Sequence, residues 1–177
     1  ANGTFMVNLM ASPGSGKTTT LLRTIADLRD EYKIGVMEAD IDASVDAEKM
    51  IEAGVRSIQV HTGGECAMNA NMTKEALDEF SADDLDIIFL ENVGNLVCPA
   101  EEDVGSAVNI EILSIPEGDD KPLKYPGIFE AADAIVLNKW DTLPVFDFDR
   151  EAFDAAVRDL NPTAPIIPIA ATKGDGV

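Results

Sequence analysis

The sequence predicts an α/β fold: a mainly parallel, seven-stranded sheet flanked by helices on both faces. Two observations predict it. Short continuous apolar runs alternate with segments whose apolar residues recur at helical spacing, the pattern of parallel strands covered on both sides by crossover helices. In addition, the run Phe5-Met-Val-Asn-Leu-Met10 leads into Ala11-Ser-Pro-Gly-Ser-Gly-Lys-Thr18, and a helical segment leads out. A strand, a glycine-rich turn ending in Gly-Lys-Thr and then a helix make the context of a phosphate-binding loop, so the fold expected is that of a P-loop NTPase.

The elements follow in order. Residues 4–10 are the first strand, and residues 18–29 place Leu21, Leu22, Ile25 and Leu28 on one helical face. Residues 33–38 read as a short buried strand, followed by an acidic loop and a short helix to about Ala53. The third strand covers 56–60; after a Thr62-Gly-Gly64 turn, 66–80 read as a helix. The strongly apolar stretch 86–90 is the fourth strand, with a long loop over 92–104. Residues 108–115 are the fifth strand, 117–126 a polar loop, 127–132 a helical turn and 134–137 the sixth strand. A helix over 149–160 and a strand over 165–169 complete the set. No repeat, low-complexity tract or linker interrupts it, so residues 1–177 read as a single nucleotide-binding domain.

Composition narrows the function classes. A chain of 177 residues is long enough for one sizeable core, and 46% apolar with 26% charged residues is ordinary for a globular protein. No apolar run approaches the ~20 residues of a membrane span. No basic segment precedes the first strand as in a signal peptide. A cytoplasmic protein that binds neither membrane nor nucleic acid is expected, since the net charge of −20 opposes a phosphate-backbone surface. Two cysteines, Cys66 and Cys98, cannot form a disulfide framework. In a reducing compartment they are expected to be free thiols, open to metal binding.

The motifs assign chemistry to the ends of strands. Gly14 and Gly16 let the backbone curl so that successive N–H groups point inward, and the helix beginning at Lys17 adds its positive end. Gly14, Ser15, Gly16, Lys17, Thr18 and Thr19 are the expected phosphate contacts. Lys17 reaches the β- and γ-phosphates and Thr18 holds Mg²⁺. After the fourth strand, Glu91-Asn-Val-Gly94 offers a carboxylate for a water of the Mg²⁺ shell and a glycine N–H for the γ-phosphate. After the sixth, Asn138-Lys-Trp-Asp141 selects guanine: Asp141 accepts from its N1–H and 2-amino group, whereas adenine would leave that carboxylate unpaired. The Lys139 stem covers the base plane. After the seventh, Ala171 lies in a loop expected to close over the base. The acidic loop Asp40, Asp42, Asp46 falls where a first switch belongs; there Asp40 positions the attacking water and Asp46 lies near Mg²⁺, or the loop is a solvated acidic segment. Cys66 is expected to open a helix, whose dipole lowers thiol pKa, and Cys98 follows the Glu91–Gly94 stretch. The pair reads either as metal ligands or as buried apolar cysteines. His61 reads as a strand-end residue and Trp140 as packing.

Four stretches are similar to the HypB family of nickel-insertion GTPases that serve [NiFe]-hydrogenase maturation: 9–18, Glu91-Asn-Val-Gly-Asn-Leu-Val-Cys-Pro99, Glu117-Gly-Asp-Asp-Lys-Pro-Leu-Lys-Tyr-Pro126, and Asn138–Asp141. The related UreG family shares the plan but not the second and third phrases. The resemblance implies a SIMIBI-class fold, slow hydrolysis of GTP to GDP and phosphate, and a homodimer in the GTP state. It further implies Ni²⁺ or Zn²⁺ held by Cys66 and Cys98 at the dimer interface, and partnership with a HypA-type nickel chaperone and the hydrogenase large subunit. One departure stands out. The family's Cys-His-Leu-Asp-Ala reads Cys66-Ala-Met-Asn-Ala70 here, so Ala67 replaces an expected ligand. Glu65 could substitute, or two subunits could each supply two thiolates, which suits Zn²⁺. The alternative is a GTP-dependent switch or scaffold that has lost metal delivery.

Overall fold

The computed structural model describes residues 3–39, 50 and 53–177. Its seven strands are β1 (Phe5–Ala11), β2 (Ile34–Glu38), β3 (Arg56–Gln59), β4 (Ile87–Glu91), β5 (Val108–Ser114), β6 (Ala134–Asn138) and β7 (Ile166–Pro168). They form one sheet in the order β3-β2-β4-β1-β5-β6-β7, and every pairing is parallel. The parallel α/β sheet expected from the apolar runs is the one observed, with strand ends shifted by at most one residue.

Strand alternation divides the core. Val7, Leu9 and Ala11 of β1 turn to one face, where they pack with Phe89, Ile112, Leu21 and Ile25. The helix α1 (Lys17–Leu28) covers this face, its Leu21 and Ile25 both buried. Met6, Asn8 and Met10 turn the other way, and there the apolar packing falls into two clusters. One gathers Met6, Met37, Ile88 and Leu90 under α2 (Ala70–Phe80). The other gathers Met10, Leu113, Ile135 and Leu137 under α5 (Pro126–Ala131) and α6 (Arg150–Leu160). Between them lie Asn8, Asn92, Asn109 and Glu111. Asn92 Nδ2 donates to Asn8 Oδ1 at 3.1 Å, and Asn8 Nδ2 to Asn109 Oδ1 at 2.9 Å.

Three segments depart from the sequence reading. The helix expected over 66–80 starts at Ala70, because the Asn69 side chain accepts from the N–H groups of Asn71 and Met72 and so caps it. Cys66 therefore does not open a helix, and no helix dipole acts on it. The long loop after β4 contains a single turn, α3 (Cys98–Glu101), with Pro99 inside its first turn. The polar loop after β5 contains α4 (Lys121–Lys124), followed directly by α5. Among the described residues no helix is long and apolar enough to cross a membrane.

Candidate nucleotide site and cysteine pair

The chemistry-bearing segments all leave the carboxyl ends of strands, where ligands bind in open parallel sheets. The loop between β1 and α1 has Gly14 and Gly16 at φ 80° and 95°, and Gly16 is the N-cap of α1. A methyl group at position 16 would overlap Asn138 Nδ2, so glycine is required there by space as well as by backbone. Ser15 and Lys17 are buried, and Thr19 is exposed.

The segment after β4 lies against this loop. Thr18 Oγ1 donates to Glu91 Oε1 at 2.7 Å, so the two residues expected around Mg²⁺ meet. Lys17 Nζ donates to the Asn92 carbonyl. A Cβ at Gly94 would lie 3.1 Å from Pro13 Cγ, which places that backbone directly on the loop.

The segment Asn138–Asp141, expected to select guanine, grips the same loop from the other side. Asn138 Nδ2 donates to Ser15 O at 3.0 Å, and its Oδ1 accepts from Ala171 N at 3.2 Å. Lys139, in the left-handed region at φ 56°, donates from Nζ to Gly14 O at 2.7 Å. Asp141 pairs with Lys173 at 2.9 Å. Trp140 packs beside the α5–α6 cluster, with the Arg150 guanidinium 5.2 Å from its ring. Asp40, Asp42 and Asp46 lie outside the described residues.

Cys66 and Cys98 were expected as free thiols; the structure joins them in a disulfide, with Cα atoms 5.9 Å apart. The two are 32 residues apart in the chain, and that separation hid the convergence of the turns after β3 and β4. Nor are they buried apolar cysteines: Cys66 is exposed and Cys98 half-buried, while Ala67 and Met68 between them and the core are buried. His61 is exposed. No group of three or more His, Cys, Asp or Glu arranged to hold a metal occurs among the described residues.

Several functional neighbours were not foreseen. Ser12 Oγ donates to Glu117 Oε1, while Glu117 Oε2 accepts from the backbone N–H and hydroxyl of Ser114. This carboxylate thus fastens the start of the phosphate loop to the end of β5. The phrase 117–126 was legible as a polar loop, but its contact with Ser12 was not. Glu111 is wholly buried, and its carboxyl oxygens find no hydrogen-bond partner among the described residues. Burial pushes its pKa well above the ordinary value of 4.5; the Glu117 charge adds to this and Lys17 opposes it.

Residues 5–168 match the family model described as CobW/HypB/UreG, nucleotide-binding domain. The crystal structure of the hydrogenase maturation factor HypB from Archaeoglobus fulgidus superposes with a TM-score of 0.91 at 38% identity, over 99% of this chain and 85% of that one. This chain belongs to the HypB family. A second HypB structure, that from Helicobacter pylori in complex with nickel, matches with a TM-score of 0.90 at 40% identity, over 99% of this chain and 82% of that one. HypB of Rhizobium leguminosarum bv. viciae is 45% identical over 175 residues, 99% of this chain. The chain spans 58% of that relative's length.

Proposed function

We propose that this chain is a GTP-hydrolysing metal-handling domain that serves [NiFe]-hydrogenase maturation. One observation carries the reading. A single stretch, 91–98, touches the phosphate loop through Glu91 and Gly94 and ends at Cys98, bonded to Cys66. This contiguity supports a coupling of nucleotide and metal chemistry along one short piece of backbone.

In this reading Gly14 to Thr19 bind the phosphates, Lys17 neutralises the β- and γ-phosphate charge, and Gly94 N–H senses the γ-phosphate. Asp141 selects guanine and exchanges its Lys173 partner for the base. Asn138 and Ala171 hold the base loop to the phosphate loop. Thr18 Oγ1 and Glu91 Oε1, side by side at the start of α1, form a hard oxygen pair that fits Mg²⁺, Thr18 as ligand and Glu91 through water. When bound, Mg²⁺ supplies neutralisation of developing phosphate charge. Asp40 orients the attacking water and Asp46 completes the Mg²⁺ surroundings. Positioning and charge supply most of the acceleration in such chemistry, and no Gln or Arg directly follows Gly94 to add to them, so slow intrinsic turnover is expected.

Nickel, or zinc in its place, is the cargo. Reduction of the Cys66–Cys98 disulfide leaves two thiols close enough for one ion. Two subunits meeting in the GTP state would complete a four-thiolate site. A HypA-type chaperone and the hydrogenase large subunit are the proposed recipients, in the cytoplasm. This rests on the family membership, and on the relative solved in complex with nickel.

The test is titration of reduced protein with Ni²⁺ and Zn²⁺ in its GTP-analogue and GDP forms, beside a Cys66→Ser, Cys98→Ser double variant. Binding in the parent that the double variant loses supports delivery; equally poor binding by both sinks it. In that case the second reading stands, a GTP-dependent switch without cargo. Ala67, buried where the family places histidine, is the observation that favours it.

A further inference from the structure

Asn92 is the last residue before the segment that carries Gly94 and Cys98, and it is fully buried. It faces two ways. Its main-chain carbonyl accepts from the Lys17 ammonium. Its side chain does something different: Oδ1 accepts from Met68 N at 3.0 Å and from Val93 N at 2.9 Å. Met68 is two residues beyond Cys66, so this amide fastens the Cys66 turn to the end of β4. Nδ2 is held by Asn8, which bonds Asn109, which in turn accepts from Ser106 Oγ at 2.9 Å. The Asn92 side chain is thus locked from behind and bonded to the cysteine turn in front. On the Cys98 side, Asn95 Oδ1 accepts from Val97 N at 2.7 Å and Cys98 N at 3.0 Å, which fixes that sulfur to the same stretch.

We propose that Asn92 is the positioning residue through which phosphate at the loop changes the Cys66–Cys98 pair. The inference rests on the reading of residues 11–18 as a nucleotide site and of the cysteines as the metal-handling pair. Phosphate oxygens compete with the Asn92 carbonyl for the Lys17 ammonium. As the ammonium shifts toward phosphate, its bond to the carbonyl weakens and the 92–93 peptide reorients. The side chain on that residue is bonded to Met68 N, so the Cys66 turn follows, while Cys98 follows through Gly94 and Asn95. The spacing and exposure of the two sulfurs then depend on what occupies the loop. By linkage, metal held by the thiols changes nucleotide affinity by the same factor.

Disulfide reduction reads this coupling without any metal. A small dithiol such as dithiothreitol converts the Cys66–Cys98 disulfide to two thiols and becomes a cyclic disulfide itself, so two electrons and two protons pass between them. Thiolate attack depends on access to the sulfur. The rate is measured on the oxidised chain with GDP and with a non-hydrolysable GTP analogue, each with Mg²⁺. Binding of both nucleotides is checked by Trp140 fluorescence or a labelled nucleotide. The expected result is a rate that differs at least fivefold between the two nucleotides, and less than twofold in Asn92→Ala. Asn92→Asp, which keeps an oxygen for Met68 N–H, restores the difference. Asn8→Ala breaks the same buried network but leaves the Met68 bond, and it keeps the difference. If Asn92→Ala retains the full nucleotide dependence, or the parent shows none while binding both nucleotides, the inference is overturned. Failure to bind nucleotide overturns the reading beneath it. Failure of the reduced chain to bind metal removes the cargo and leaves the rate measurement standing.

Discussion

Gly16 shows how little freedom the loop has at single residues. Its φ of 95° and the overlap of any Cβ with Asn138 Nδ2 act together. Gly16→Ala is therefore expected to weaken GDP binding at least tenfold, about 1.4 kcal/mol or more, as read by a labelled nucleotide. Asp141 is the residue proposed to select guanine. Asp141→Asn should shift preference from GTP toward xanthosine triphosphate in a competition assay, and unchanged preference removes Asp141 from that role. Glu111 makes a third residue-scale prediction. Burial raises its pKa above 4.5, so the folded chain keeps a proton that the unfolded chain releases. Its contribution to stability is fully present below about pH 4.5 and is lost as pH rises toward the folded-state value, by up to ~1.4 kcal/mol per pH unit. Glu111→Gln should flatten that part of the profile. Glu111→Leu should raise urea stability at pH 7 by about 1–3 kcal/mol, because an unsatisfied buried carboxyl is removed.

At the scale of elements, the start of α2 matters most to the cysteine pair. Asn69 ends the Cys66 turn by capping the helix, and Asn69→Ala should cost about 1 kcal/mol in urea unfolding. This is also where sequence reading fell short. Met68 and Met72 continue the helical spacing of apolar residues across the cap, so periodicity alone ran the helix back to Cys66. Asn69 carried the correcting signal as an N-cap residue type, but Met68 N–H bonds Asn92, which is remote in sequence. Most strands were readable because they are short apolar-rich runs in a sheet covered on both faces, whereas β3, Arg56-Ser-Ile-Gln59, lies at the edge of the sheet with no buried residue. The turn between β1 and α1 was readable because its signal is local: glycines at the positions where the backbone curls. Ser12–Glu117, Asn8–Asn109 and Cys66–Cys98 were not, because each joins segments that only the strand order brings together. That order, β3-β2-β4-β1-β5-β6-β7, is set by long-range packing.

At the scale of the whole molecule, one chain supplies two sulfurs, whereas zinc in a structural site takes four ligands. In the proposed function, metal binding and assembly are then one event. Reduced protein with a GTP analogue should sediment as a dimer and hold about one Zn²⁺ per two chains, while the GDP form should stay monomeric with weaker metal binding. One ion per chain, independent of nucleotide, would place the remaining ligands within a single subunit. The asparagine row Asn8, Asn92, Asn109, with Glu111 beside it, has a different consequence. It separates two apolar clusters on one face, while the opposite face under α1 is continuous. Opening the row costs exchangeable polar bonds rather than a shared hydrocarbon core. Amide hydrogen exchange should therefore divide the molecule into two cooperative units. The α5–α6 half and the α2 half would exchange at different rates, with β1, which both halves share, protected longest. The turn that carries Gly16 and Lys17 springs from that shared strand, so it would be anchored in the backbone expected to exchange slowest.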